Sequence, residues 1–203
     1  MNGLKNPSSE TIEDYAKRFD CGQLGINRRP GISERPSLAR LFQDYPSNEE
    51  FEKVLIKVAA LNSLYSTHVR SIHLIPLAQN IIEIKDIDKK IHHGDLQVVN
   101  QIASLKISPS EKWYYFSFAT KYCFFHKPEL YPIYDSKVVG LLKEYNRDKE
   151  FYCFQGRPNL RDYPQFVAFI SAFRNRHNIN ADWSKLDKFL WLYAFEREEA
   201  KNN

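Results

Sequence analysis

The sequence is poor in the residues that build disulfide and metal-linked frameworks. Its three cysteines, Cys21, Cys123 and Cys153, are an odd number and have no C-x-x-C spacing. This pattern argues against a disulfide scaffold, a zinc site and a four-cysteine iron–sulfur cluster. It favours a reducing compartment, so we expect a cytoplasmic protein that needs no cofactor.

Long apolar runs are missing too. No run of about 18 apolar residues occurs, and the N-terminus lacks the apolar segment of a secretory signal. We therefore expect a soluble protein with no membrane association. We also expect it to act as a monomer.

Several catalytic signatures are absent. The sequence has no G-x-S-x-G, Walker A, H-E-x-x-H or G-x-G-x-x-G pattern. The histidines do not form a metal-binding pattern either. His92 and His93 are adjacent, and His68 and His73 lack the three- or four-residue spacing of helical metal ligands. No metal site is expected.

Aromatic residues, in contrast, are abundant: 14 Phe, 12 Tyr and 3 Trp make up 14% of the 203 residues. The length suits one globular domain, or a compact two-lobed fold, with a proper core. A net charge of +4 and a pI near 8.8 are compatible with a polyanionic partner. Several arginines are compatible either with such a partner or with charge scattered over the surface. They are Arg28, Arg29, Arg35, Arg40, Arg157, Arg161, Arg174 and Arg176.

The apolar pattern predicts an all-α, mainly helical bundle with room for a short strand pair. Residues 1–46 are predicted to form an irregular N-terminal arm with a short helix at 9–19, and residues 47–203 a helical domain. That domain opens with a helix capped by Ser47 and Glu50. Further helices are expected around 67–82, with a kink or start at Pro76, and at 95–107, 136–146, 163–178 and 184–198. The best strand candidate is 149–154.

The stretch ISPSEKWYYFSFATKYCFFH, residues 107–126, has the pattern of a buried central helix. Ser108 is placed as its cap, Pro109 suits the first helical position, and Glu111 completes an S-x-x-E capping box. The following helix is predicted to begin at Asp135 or Ser136.

The order of an apolar helix, the segment YPIYDSKV and a new helix resembles the helix-hairpin-helix DNA glycosylase superfamily, on its 8-oxoguanine glycosylase-like side. The departure is one extra residue between proline and aspartate, since Ile133 and Tyr134 stand where the common pattern has one residue. The earlier VLIKVAALNSLYSTHVRSI is similar to the family's early helix pair. The resemblance spans about residues 50–140 and, less closely, the final helix.

The resemblance implies that Asp135 is catalytic, stabilising positive charge on the sugar and activating water. It also implies that Asn62, with Tyr65, fills the space left by a flipped nucleotide. For the family's nucleophilic lysine the candidates are Lys112 and Lys121, about one helical turn to either side of the expected place. Ser108 and Ser110 would replace the family's glycine-rich turn in contacting phosphate, and the base-pocket and DNA-binding candidates also include Trp113, Tyr122, Phe125, His126, Tyr134 and Ser136.

Each candidate also has a purely structural interpretation. Asp135 suits a helix N-cap, Lys121 an ion pair, and Lys112 a solvated position. At least half of the aromatic residues belong to a core by helical spacing. The sequence thus predicts a glycosylase that excises an oxidised purine or bulky modified base from double-stranded DNA, in repair or anti-phage defence. The alternatives are a non-catalytic nucleic-acid-binding module of the same fold and a helical protein-interaction domain.

Overall fold

A computed structural model describes residues 3–22 and 34–202, and over these residues the protein is mainly helical. Ten α helices, one short 3₁₀ helix and two strands are present in the described ranges: α1 (Ser9–Asp20), α2 (Glu34–Asp44), α3 (Phe51–Tyr65), the 3₁₀ helix (Ser71–His73), α4 (Leu74–Glu83), α5 (Ile87–His92), α6 (Gln97–Ala103), β1 (Ser104–Lys106), β2 (Lys112–Tyr114), α7 (Phe116–His126), α8 (Ser136–Asp148), α9 (Tyr163–Arg176) and α10 (Trp183–Asn202). The all-α prediction with a short strand pair is confirmed.

The chain divides into two compact units. One, here called the terminal unit, comprises Met1–Ile32 and Tyr134–Asn203, and the other, the middle unit, is Ser33–Ile133. The middle unit includes α2, a helix that falls within the segment for which the sequence predicts an irregular arm.

The terminal unit is built on the pairing of α1 with α10. Ser8 caps α1 through its hydroxyl, which accepts a hydrogen bond from the Thr11 amide. The buried face of α1 then meets aromatic residues of α10, with the Tyr15 ring edge-on to Phe189 at 5.2 Å. Helix α8 joins this unit through the buried Tyr145, whose ring lies 5.0 Å from that of Phe173 in α9.

The middle unit is centred on α7, which is apolar on almost every side. Nine of its eleven residues are buried, so neighbouring helices must cover it all round. Helix α3 contributes Val54, Val58 and Leu61 to the same core, and α4 contributes Leu77 and Ile81.

The predicted start of the α7 helix is wrong. Residues 104–114 form an antiparallel hairpin in which Leu105 pairs with Trp113. The Ser108 hydroxyl does accept a hydrogen bond from the Glu111 amide, at 3.1 Å, but this bond closes the hairpin turn rather than capping a helix. Lys112 is therefore a strand residue, and α7 begins only at Phe116.

Two smaller predictions are also wrong. The N-cap of α3 is Glu50, without a side-chain cap. Ser47 instead donates a hydrogen bond to Asp88. The segment 149–154 forms no strand, because the Asn146 side chain accepts hydrogen bonds from the amides of Phe151 and Tyr152 and so takes the place of a pairing strand.

Candidate functional site

Asp135 lies in the terminal unit and caps α8, as predicted. Its backbone is extended, and its Oδ1 accepts hydrogen bonds from the amides of Lys137, at 2.8 Å, and Val138, at 3.4 Å. Both bonds use the same oxygen, so Oδ2 has no hydrogen bond among the described residues. The half-buried carboxylate is thus held in one orientation with a second oxygen left over for other chemistry.

The neighbours of Asp135 differ in exposure. Tyr134 is half-buried, with its ring 5.3 Å from that of Phe166. Burial raises the pKa of the Tyr134 hydroxyl, and the charge of Asp135 adds to this while that of Arg161 opposes it. Ser136, the first residue of α8, is exposed. The three consecutive residues therefore present a phenol, a carboxylate and a hydroxyl around one helix start.

Lys121 lies in the middle unit, on α7, and only 6% of its surface is exposed. Its ammonium donates to Oγ of Ser117 at 2.6 Å, one helical turn earlier, and lies 5.9 Å from the centre of the Tyr65 ring. A lysine enclosed in this way is shielded from water, and its amine is a candidate nucleophile.

Tyr65 connects Lys121 to a second cation. Its hydroxyl accepts a hydrogen bond from Nε of Arg35 at 2.5 Å, and the Arg35 guanidinium lies 5.6 Å from the Phe124 ring. The sequence marks Arg35 only as part of a charge cluster, and two other members of that cluster, Arg28 and Arg29, lie outside the described residues. The structure thus brings together Arg35, Tyr65 and Lys121.

Asn62 is committed to shaping the loop after α3. Its amide donates to the Val69 carbonyl at 3.0 Å, and its Oδ1 accepts from the Thr67 hydroxyl and the Val69 amide at 2.8 and 2.9 Å. These bonds hold a loop in which Ser66 and His68 have positive φ angles of 46° and 59°. Such angles are uncommon outside glycine, so the loop depends on Asn62 for its shape.

Tyr122 and His126 belong to a polar network inside the middle unit. The Tyr122 hydroxyl donates to Oδ1 of Asn48 at 2.5 Å, and the same oxygen accepts from the Lys57 ammonium at 2.8 Å. Asn48 is held in turn by Asp88, which accepts from its side-chain amide at 2.6 Å and its backbone amide at 3.0 Å. Tyr122 is fully buried, so its ring forms part of the core and offers no surface to a base.

Lys57 is the residue of this network that sequence reasoning misses. It has no exposed surface, and burial lowers its pKa to about 8, with Asp88 opposing the shift. Nζ donates to the carbonyls of Tyr45 and Ser47 at 3.0 and 2.9 Å and lies 3.3 Å from Nε2 of His126. Burial, together with the charges of Lys57 and Lys127, holds the pKa of His126 well below its usual value. The available signal is a lysine at a core-facing position of the apolar run VLIKVAAL.

The remaining candidates form two further groups in the middle unit. Phe125 is buried with its ring edge-on to Tyr65 at 5.5 Å. Ser108, Ser110, Lys112 and Trp113 belong to the hairpin, where the Trp113 ring packs 5.0 Å from that of His73 and its indole donates to Glu111. The candidates therefore fall into five places: Asp135 with its neighbours, the Lys121 cluster with Tyr65 and Phe125, the loop held by Asn62, the Lys57 network and the hairpin.

The described ranges also bear on metals and membranes. No cluster of histidine, cysteine and acidic residues suited to a metal ion occurs in ranges 3–22 and 34–202. None of the helices in the same ranges combines the length and apolar character that crossing a membrane requires.

Comparison with known proteins identifies relatives of this chain. Residues 11–130 match the HI_0787_N family model, which is described as an N-terminal domain. A protein from Haemophilus influenzae with the name "Uncharacterized protein" is 38% identical over 145 residues, which cover 71% of this chain and 68% of the relative. No solved structure matches the chain.

Proposed function

The chain belongs to the HI_0787_N family, and we propose that it is a DNA glycosylase of the helix-hairpin-helix type that removes a damaged or modified base from double-stranded DNA. The observation that carries this proposal is the geometry of Asp135. Its Oδ1 is fixed by two backbone amides, while Oδ2 makes no hydrogen bond among the described residues.

A carboxylate held in this way suits hydrolysis of an N-glycosidic bond. As the bond between the sugar C1′ and the base nitrogen breaks, positive charge develops on the sugar, and Oδ2 stabilises it. The same carboxylate accepts a proton from the water whose oxygen bonds to C1′, and the base leaves with a proton from solvent. The base must leave the helical stack to be reached, as for other enzymes that act on bases.

The proposal covers an oxidised purine or a bulky modified base, with a role in base-excision repair or in anti-phage defence. The protein would act in the cytoplasm as a monomer. Lys121 is the candidate for an additional covalent step, because its amine is largely buried. The superfamily's nucleophilic lysine lies at the start of a helix, whereas Lys112 lies in β2.

The test is a panel of duplexes, each with one modified base, incubated with the protein and then heated in alkali to break the strand at abasic sites. We expect strand breaks in at least one lane and none with Asp135→Asn, which keeps the shape of the side chain and loses its charge. Asp162→Asn is the matched control, because Asp162 also precedes a helix of the terminal unit. Equal activity of Asp135→Asn and wild type would exclude Asp135 from the mechanism.

A second candidate, the non-catalytic nucleic-acid-binding module, is favoured by one observation. The hairpin that occupies the predicted helix start removes Lys112 from the place where the superfamily has its nucleophile. Salt-sensitive binding of duplexes without base release from any of them would favour this module.

A further inference from the structure

The β1–β2 hairpin contains a pair of like charges that its own fold does not explain. The register pairs Lys106 directly with Lys112, Ser104 with Tyr114, and Leu105 with Trp113. Like charges directly opposite one another destabilise a sheet. This sheet has only two strands of three residues each, so it has little stability to spare.

The hydrogen-bond pattern brings these two lysines close together. The Ile107 amide donates to the Glu111 carbonyl, and the Tyr115 amide donates to the Ala103 carbonyl. Hydrogen-bonded pairs alternate with non-hydrogen-bonded pairs along an antiparallel ladder, which makes Lys106 and Lys112 a non-hydrogen-bonded pair. In such pairs the side chains approach most closely, with Cβ atoms about 4.5–5.5 Å apart.

No group of the described chain neutralises the pair. Both lysines are exposed, and neither makes an ion pair or a hydrogen bond among residues 3–22 and 34–202. The acid of the hairpin, Glu111, is turned to other partners: it accepts the indole N–H of Trp113 at 2.9 Å and lies 3.6 Å from Nε2 of His73. The carboxylate is thus engaged at the Trp113 and His73 side of the hairpin, away from the lysine pair.

The rest of the lysine face suits a phosphodiester backbone. Side chains alternate along a strand, so Ser104 and Tyr114 share this face with the two lysines, and both are exposed. The Tyr114 ring is stacked on Phe116 at 5.7 Å and its hydroxyl donates to Asn100, which holds the ring firmly. Two ammonium groups and the Ser104 hydroxyl, beside this fixed aromatic ring, form a cationic surface with hydrogen-bond donors of the kind that contact phosphate.

We propose that this face of the hairpin binds the phosphodiester backbone of DNA, with Lys106 and Lys112 neutralising phosphate charge between them. The repulsion within the pair is relieved when the backbone is bound. The choice of DNA as the polyanion rests on the proposed function, whereas the surface itself requires no modified base and no release of one. Loss of base excision with retained binding of plain DNA would therefore leave this proposal intact.

The test measures binding of a plain, unmodified duplex to the full chain by fluorescence anisotropy over a series of salt concentrations. The steepness of log K against log salt concentration falls by about 0.9 for each phosphate that the protein no longer neutralises. We expect Lys106→Gln and Lys112→Gln each to reduce the steepness by about this amount. Lys85→Gln is the matched control, because Lys85 is an exposed lysine of the same unit outside the hairpin, and it should bind as wild type does.

A charge reversal separates binding from folding. Lys106→Glu places opposite charges across the hairpin, so its melting temperature should equal or exceed that of wild type while its DNA affinity falls below that of Lys106→Gln. Unchanged affinity in Lys106→Glu, or an equal decrease in Lys85→Gln, would overturn the proposal. Hairpin-dependent binding to anionic lipid vesicles without binding to the duplex would overturn its assignment to DNA.

Discussion

Nζ of Lys57 lies 3.3 Å from Nε2 of His126, so a lysine and a histidine meet in the interior of the middle unit. Burial and the neighbouring charges hold the pKa of His126 well below its usual value and keep the ring neutral. The three N–H groups of the Lys57 ammonium are matched by two carbonyls and Asn48, which fixes the segment between α2 and α3. This segment therefore depends on one buried amine.

The first prediction concerns the pH dependence of stability that Lys57 confers. Burial lowers its folded-state pKa to about 8 from an ordinary value of 10.5. Between these pH values the unfolded chain binds more protons, so the contribution of Lys57 to the free energy of unfolding rises with pH across the window and is lost again as the pH falls through about 8. Denaturant titrations at several pH values between about 7 and 11 measure this.

The informative quantity is the difference in the free energy of unfolding between wild type and Lys57→Met, because the contributions of the other titrating groups cancel in it. Lys57→Met should be less stable at every pH by about 1–3 kcal/mol, since it leaves buried carbonyls without donors. This difference in free energy should increase from about pH 8, the pKa of Lys57 in the folded protein, to pH 10.5, its ordinary pKa in the unfolded chain. Lys53→Met, on an exposed part of α3, should show no such trend. A difference in the free energy of unfolding that stays constant or decreases over this pH range would contradict the role given to Lys57.

The second prediction is that Asn62 acts through the fold. Asn62→Ala removes three hydrogen bonds that hold the loop with Ser66 and His68 at positive φ. The expected loss is about 1–3 kcal/mol of unfolding free energy, with equal weakening of binding to plain and modified duplexes. Selective loss of binding to the modified duplex, at unchanged stability, would instead support Asn62 as the residue that fills the vacated stack.

How far the sequence predicts this molecule depends on how local each feature is. The Asp135 cap is predictable because its partners are the amides two and three residues later. The segment ISPSE is ambiguous, because the hydrogen bond between the serine side chain and the glutamate amide occurs both in a capping box and in this hairpin turn. The pairing of Lys112–Tyr114 with Ser104–Lys106 decides for the hairpin, and that pairing is not visible in the local sequence. Lys57 escapes prediction because its partners Asn48 and His126 come from other segments, and no local pattern reveals that a lysine is enclosed.

The third prediction separates the two roles of Asp135. Asp135→Ser retains a side chain that caps helices, so its melting temperature should stay close to that of wild type, whereas Asp135→Ala should lose about 1 kcal/mol of unfolding free energy. Both should be inactive in base excision, because neither carries a carboxylate. If Asp135→Ser is fully active, the carboxylate serves as a cap alone.

The last prediction concerns Lys121 and a covalent intermediate. A lysine nucleophile attacks C1′ with its neutral amine, and the base departs with a proton. The attached nitrogen then loses a proton, and the C1′–O4′ bond opens with protonation of O4′. The resulting Schiff base is reduced by borohydride to a stable protein–DNA adduct. Lys121 is enclosed, with 6% of its surface exposed, and so has a site shielded from water. Its position five residues after the start of α7, 121 − 116, differs from the helix start where the superfamily has its nucleophile.

We expect borohydride to trap an adduct that Lys121→Gln loses and Lys112→Gln retains, since Lys112 is an exposed strand residue and does not lie on α7. Denaturing gel electrophoresis of a labelled, modified duplex detects the adduct, and alkali cleavage of the same samples measures base release. Base release without an adduct would assign hydrolysis to Asp135 and water alone. An adduct that disappears only in Lys112→Gln would show instead that the hairpin reaches the sugar and that Lys121 supports the core through Ser117 and Tyr65.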